Sequence, residues 1–181
     1  VDVEKAFFSP RLSTERDRIS NLLKDDEVII NMFGGVGMFS ILAAKKKSCV
    51  VYNIDINPIA SELCEKNIKL NKLKGDVISI NGDATEIIKK QLRDKGDRVL
   101  MLLPERSDEF LDMAISSLKK TGVVHYYSHI HAEKKQEASG LSEEHFLSIN
   151  KIPATITCSR IVRPIGPRFY QTVVDAEIQK C

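Results

Sequence analysis

The chain has 181 residues, 43% of them hydrophobic and 29% charged, the proportions of a globular protein that can bury a core. Its 27 lysines and arginines barely exceed its 25 aspartates and glutamates, so net charge singles out no class of partner. No apolar run approaches the roughly 18–20 residues of a membrane-spanning helix, which excludes an integral protein of that kind.

Val1–Phe8 has no basic region leading into an apolar core, so it does not read as a secretory signal, and the lack of an initial methionine fits a processed or excised segment. Cys49, Cys64, Cys158 and Cys181 lie far apart without Cys-x-x-Cys spacing. That pattern points to reduced thiols in a cytoplasmic protein rather than a disulfide framework or a zinc site.

In chain order, residues 1–24 read as an N-terminal lead-in segment with a helix over Thr14–Leu23, capped near Ser13, and residues 25–181 as the main domain. Glu27–Phe33 is an apolar strand that stops at Gly34. A helix follows over Phe39–Lys47, then a strand over Cys49–Ile54 ended by Asp55. Pro58 opens a helix reaching Leu70, since proline suits a first helical turn. The alternation continues with strand Asp76–Ile80, helix Thr85–Leu92, strand Arg98–Leu103, helix Asp108–Lys119 and strand Val123–Ser128. A short helix over Leu141–Ser148 precedes two strands, Ala154–Val162 and Phe169–Ile178, with no helix between them. Strand–helix alternation of this kind gives an α/β fold, a doubly wound and mostly parallel sheet closed by a C-terminal antiparallel hairpin. Its ligand crevice is expected at the carboxyl ends of the strands.

Three strand ends carry the sharpest signals. Gly34, Gly35 and Gly37 follow the first strand directly, where glycine permits a tight turn and close approach of a ligand to bare backbone. Asp55, ending the next strand, can accept hydrogen bonds from both hydroxyls of a ribose. Asp83 ends the third and can meet an adenine amino group. The third glycine of a dinucleotide fingerprint is missing, because Phe39 and Ser40 follow Gly37. The crevice therefore suits S-adenosylmethionine better than NAD, there being no pyrophosphate to cradle. The alternative is that these are ordinary turn residues.

Four stretches together resemble one family. They are Phe8–Arg16, with its Ser-Pro-Arg-Leu and Glu-Arg elements, the glycine turn Phe33–Phe39, Asp55–Pro58, and Lys66–Leu73. Nearly the whole chain is similar to the catalytic domain of the archaeal and eukaryotic tRNA (guanine-37-N1) methyltransferases and of the related wybutosine-pathway aminocarboxypropyl transferases. The resemblance implies a Rossmann-like class I methyltransferase fold, S-adenosylmethionine as cofactor and tRNA as partner. It implies Glu15 as the base that takes the guanine N1 proton and Pro104 at the turn where the target base enters. Arg16, Phe33, Gly35, Gly37, Asp55, Ile56, Asp83, Ala84 and Leu102 fall on its cofactor contacts. At Leu102 the family's methyltransferases carry an asparagine that touches guanine and cofactor, and at Phe7 a tyrosine. Members are longer, with N-terminal parts that help to grip tRNA.

Without the resemblance Glu15 reads as an exposed first-turn residue favoured by the helix dipole. Tyr126, Tyr127 and Phe110 can serve as stacking platforms for an extruded base or as core. His125, His129 and His131 share a strand face without acidic or cysteine companions, and read as solvated strand-end histidines rather than metal ligands. No metal is expected. The segment 151–169 holds four basic and no acidic residues (Lys151, Arg160, Arg163 and Arg168), a patch that can track phosphates. With Arg11, the three arginines are the expected RNA contacts. Three functions stay open: methyl transfer to tRNA, aminocarboxypropyl transfer to a wybutosine precursor in tRNA, and a non-catalytic module that binds cofactor and RNA.

Overall fold

The computed structural model describes residues 10–180, in two compact units, Val1–Leu92 and Arg93–Cys181. Phe7, Phe8 and Ser9, which carry part of the family resemblance, and Cys181 lie outside the described residues.

In the first unit a 3₁₀ turn, Pro10–Leu12, runs straight into α1, Ser13–Leu22. The winding is continuous, so Ser13 lies inside the helix, and the N-cap position falls to Leu12, which makes no side-chain cap bond. The expected cap at Ser13 is thereby corrected. Three βα steps follow: β1 (Val28–Asn31) and α2 (Met38–Lys46), β2 (Val50–Asp55) and α3 (Pro58–Lys69), β3 (Asp76–Asn81) and α4 (Ala84–Ile87). The last helix passes into a π-helical turn, Ile88–Leu92.

The strands lie in the order β3-β2-β1, all parallel, with Val28 opposite Val50 and Val50 opposite Asp76. Ile29, Ile30, Val51 and Ile54 are buried, as parallel strands covered on both faces require. Helix starts are set by side chains at the preceding strand ends. Asn57 accepts from the Ile59 N–H at 3.0 Å ahead of Pro58, and Asp83 accepts from the Glu86 N–H at 3.1 Å.

The second unit contains β4 (Gly96–Met101), α5 (Ser107–Ser117), β5 (Leu118–His131), α6 (Ala138–Ile149), β6 (Ala154–Gly166) and β7 (Phe169–Gln179). Its strands lie in the order β4-β5-β7-β6, with β4 and β5 parallel and the other two ladders antiparallel. The α/β architecture and the closing hairpin match the sequence reading. The element that differs most is β5, expected over Val123–Ser128, which extends at both ends because β7 pairs with it from Thr121 to His131. The polar residues Lys119–Thr121, His129 and His131 hide that length from a reading by hydrophobic pattern.

Candidate functional site

At the end of β1 the chain turns through Met32–Gly37 into α2. Gly35 and Gly37 adopt φ of +54° and +84°, the left-handed region that glycine enters without strain. A Cβ on Gly34 would stand 2.1 Å from the Asn53 side-chain oxygen, so that position admits no side chain.

Asp55 ties the turn to β2. Its Oδ2 accepts from the Gly35 N–H at 2.7 Å and its Oδ1 from the Asn57 N–H at 2.9 Å. Its backbone oxygen accepts from the Gly82 N–H and from Asn81 Nδ2, both at 3.0 Å, which draws in the end of β3. The expected contacts Phe33, Gly35, Gly37, Asp55, Ile56, Asp83 and Ala84 are thus all at the carboxyl ends of three adjacent parallel strands. Asp55 is half-buried and Asp83 exposed, Ala84 is buried, and Ile56 projects an apolar side chain that is 71% exposed.

Beneath the turn lies a buried polar network that the sequence reading missed. Asn31 Nδ2 donates to Ser40 Oγ (3.1 Å), Ser40 Oγ to Asn53 Oδ1 (2.6 Å), and Asn53 Nδ2 to the Gly35 carbonyl (3.2 Å). Asn31 Oδ1 is buried with no partner among the described residues. The available signal was an asparagine closing an apolar strand, with a second asparagine at the register-matched position of the next.

On α1, Glu15 is buried at 2% exposure, one turn before buried Ile19. This corrects the reading of an exposed first-turn residue: the helix turns both side chains to its packed face. Arg18 grips the carboxylate with Nε at 3.1 Å from each oxygen and Nη2 at 2.7 Å from Oε1, a partner one turn away that the sequence reading passed over. Arg16 is half-buried, and that burial holds its guanidinium pKa below the ordinary value, with the neighbouring Asp17 charge opposing the shift. Arg11 is exposed.

In the second unit Leu102 and Pro104, both half-buried, follow the end of β4, and Ser107 Oγ donates to the Leu103 carbonyl at 2.9 Å to close the turn into α5. Pro104, Glu105, Asp108, His129, His131 and His145 line a cavity of about 790 Å³. Asp108 accepts from the Tyr126 hydroxyl and pairs with His145 Nε2 at 2.9 Å. Tyr126 and Tyr127 are fully buried and belong to the core, while Phe110 lies 5.3 Å below the Arg106 guanidinium.

The three histidines differ in kind. His131 is exposed, its ring edge-on to Phe169 at 4.9 Å. His129 is half-buried, and its Nε2 has no hydrogen-bond partner among the described residues. His125 is fully buried, which corrects its reading as a solvated histidine, because β7 covers β5 and brings Asp175 opposite it. Arg98 Nη1 lies 2.8 Å from His125 Nε2 and Asp175 Oδ1 2.6 Å from Nδ1. Arginine can only donate, so Nε2 accepts and the Nδ1–H donates to the carboxylate. Among the described residues no three His, Cys, Asp or Glu side chains gather as metal ligands.

Arg160 and Arg163 stand on β6, half-buried, and Arg163 Nε donates to Gln171 at 2.7 Å. Arg168 at the hairpin tip is 62% exposed, pairs with Glu133 at 2.8 Å, and adopts φ of +61°.

Residues 1–144 match the TRM5/TYW2 methyltransferase domain. The chain is 39% identical over 188 residues to tRNA (guanine(37)-N(1))-methyltransferase Trm5b of Pyrococcus abyssi, a match covering 98% of this chain and 52% of that protein. Its structure resembles that of Methanocaldococcus jannaschii Trm5 in complex with adenosine, with a TM-score of 0.82 and 39% identity over 100% of this chain and 53% of the other. It also resembles M. jannaschii TYW2 in complex with AdoMet, with a TM-score of 0.80 and 31% identity over 100% and 81% of the two chains. The chain spans about half the length of the curated relatives first matched. With the glycine turn, Asp55 and Asp83 at the carboxyl ends of three parallel strands and a match over most of its length, the chain belongs to the TRM5/TYW2 methyltransferase-domain family.

Proposed function

We propose that the chain is the catalytic domain of an S-adenosylmethionine-dependent tRNA methyltransferase acting on N1 of guanine 37. The carrying observation is the Asp55 carboxylate, which takes one backbone N–H on each oxygen and keeps a second acceptor direction on each. Those free directions suit the two hydroxyls of a ribose. Asp83, with one oxygen on its helix cap, has the other for an adenine amino group, and exposed Ile56 offers an apolar surface for the ring. Asn31 Oδ1 is a spare acceptor beside the same turn. No part of this set requires a phosphate, and the residues fit the cofactor.

When bound, S-adenosylmethionine supplies an electrophilic methyl carbon whose bond to sulfur breaks as a nucleophile attacks. Glu15 is the base that takes the N1 proton and so frees the lone pair that forms the new bond. Arg18 must loosen its grip for the carboxylate to accept that proton. Phe33, Gly35, Gly37, Arg16, Ala84 and Leu102 complete the cofactor contacts, and Pro104 shapes the entrance for the base. Arg11, Arg160, Arg163 and Arg168 contact the tRNA backbone. A tRNA substrate and the unbridged thiols of Cys49 and Cys64 support a cytoplasmic setting.

Leu102 favours a second reading, aminocarboxypropyl transfer, since leucine cannot provide the hydrogen bonds of the asparagine that the methyltransferases carry there. Calorimetric titration with S-adenosylmethionine, followed by mass spectrometry of nucleosides from tRNA incubated with the protein, tests both. Binding that Asp55→Ala weakens more than tenfold, with 1-methylguanosine as product, is the expected result. Glu15→Gln should then keep cofactor affinity and lose about 10²–10⁴-fold in rate. An aminocarboxypropyl product would establish the second reading. Binding without any modified nucleoside would leave a non-catalytic module, and a folded protein that binds no cofactor would overturn the assignment.

A further inference from the structure

We propose that His129 is a specificity-determining residue, its Nε2 forming a hydrogen bond to the nucleobase that enters the cavity beside Pro104. This rests on the tRNA-modifying function proposed above. Buried polar atoms are nearly always paired, yet Nε2 of His129 has no hydrogen-bond partner among the described residues. Glu105 Oε1 is 4.0 Å away, beyond hydrogen-bonding distance. The Glu105 side chain is 60% exposed and can swing aside for a ligand.

The place and the lining select the ligand. The cavity opens after the carboxyl end of β4, where α/β sheets hold ligands, and its 790 Å³ falls within the roughly 300–1,000 Å³ typical of small-molecule sites. Glu105, Asp108 and Glu109 give it an acidic wall, and the one arginine in the lining, Arg106, is paired with Glu109 at 2.6 Å. Such a wall, unpaired among the described residues only at Glu105, receives the N–H donors on the edge of a base rather than an anionic group. Asp108 is fixed between Tyr126 and His145, so that side is rigid. Burial holds the His129 pKa below its ordinary value, with Glu105 opposing the shift and the Arg163 charge adding to it, which keeps the ring neutral at pH 7 with one donor and one acceptor nitrogen. A neutral imidazole reads a base edge, whereas a cation would be needed to hold phosphate.

A histidine with a purely structural role predicts that His129→Leu, which removes the unpaired nitrogen, leaves activity intact. Base reading predicts the opposite. In the full chain, His129→Leu should keep its affinity for S-adenosylmethionine and hold or raise its thermal midpoint at pH 7.5, while kcat/KM for tRNA modification falls about 10–100-fold. His129→Gln, which returns a polar group, should recover part of that loss. If the leucine variant fails to fold, His129→Ala repeats the comparison. Modification within twofold of the unaltered protein in a folded variant overturns the inference. An unaltered protein that binds cofactor but modifies no nucleoside overturns the functional reading, and this one with it.

Discussion

Among the described residues the His129 Nε2 and Asn31 Oδ1 atoms are buried without hydrogen-bond partners, which costs about 1–3 kcal/mol each. Both stand near the carboxyl ends of strands. For His129 the burial also has a pH signature. Its folded pKa lies below the unfolded value near 6.5, so the unfolded state binds the proton more readily. The stabilisation it contributes is complete above about pH 6.5 and is lost as pH falls toward the folded pKa. Thermal midpoints of the unaltered protein should therefore drop from pH 7.5 to 5.5 more steeply than those of His129→Leu. Parallel curves would contradict this. At this scale the sequence made some residues plain and hid others. Asp55 and the glycines stand out because few residue types do their work at strand ends. Asn31, Ser40 and Asn53 do not, because three polar residues within apolar stretches form a network only once the β1–β2 register is known. Glu15 was legible as a helical residue, but its burial depends on what covers α1.

The β6–β7 hairpin shows how an element can carry strain. Gly166 pairs with Phe169, so Pro167 and Arg168 occupy the two central turn positions, with Arg168 at positive φ as in a type II turn. Proline is favoured at the first of these, but glycine or asparagine is usual at the second. The left-handed conformation costs an L-residue about 1–2 kcal/mol. Arg168→Gly should thus hold or raise the urea midpoint despite losing the exposed Glu133 ion pair, whereas Arg168→Val should lower it. Their difference is expected to be about 1–2 kcal/mol, and equal midpoints would remove the strain argument. Both variants should weaken tRNA binding if the tip contacts RNA. Helices and parallel strands were read from the sequence nearly to their ends, since their signals are local. The full span of β5 was not, because β7, some fifty residues away, sets it.

Across the whole molecule, thiols offer a probe of one unit. Burial pushes Cys49 and Cys64 up to about 11, leaving about one thiolate in a thousand at pH 8. Both lie in the core of the first unit and should stay unlabelled by a thiol reagent until denaturant exposes them at a shared midpoint. Separate midpoints would show that this unit does not unfold cooperatively. In the second unit, Arg98, His125 and Asp175 join three neighbouring strands through one imidazole. A strand that slips by one residue turns its side chains to the opposite face. Were β5 to do so, His125 would turn to the opposite, equally buried face of the sheet, and Arg98 and Asp175 would lose the imidazole that links them. Such an error carries a large desolvation penalty, far more than a mismatch of apolar side chains would. The triad therefore sets an energetic penalty on a one-residue slip of β5, favouring the native register over its nearest alternatives.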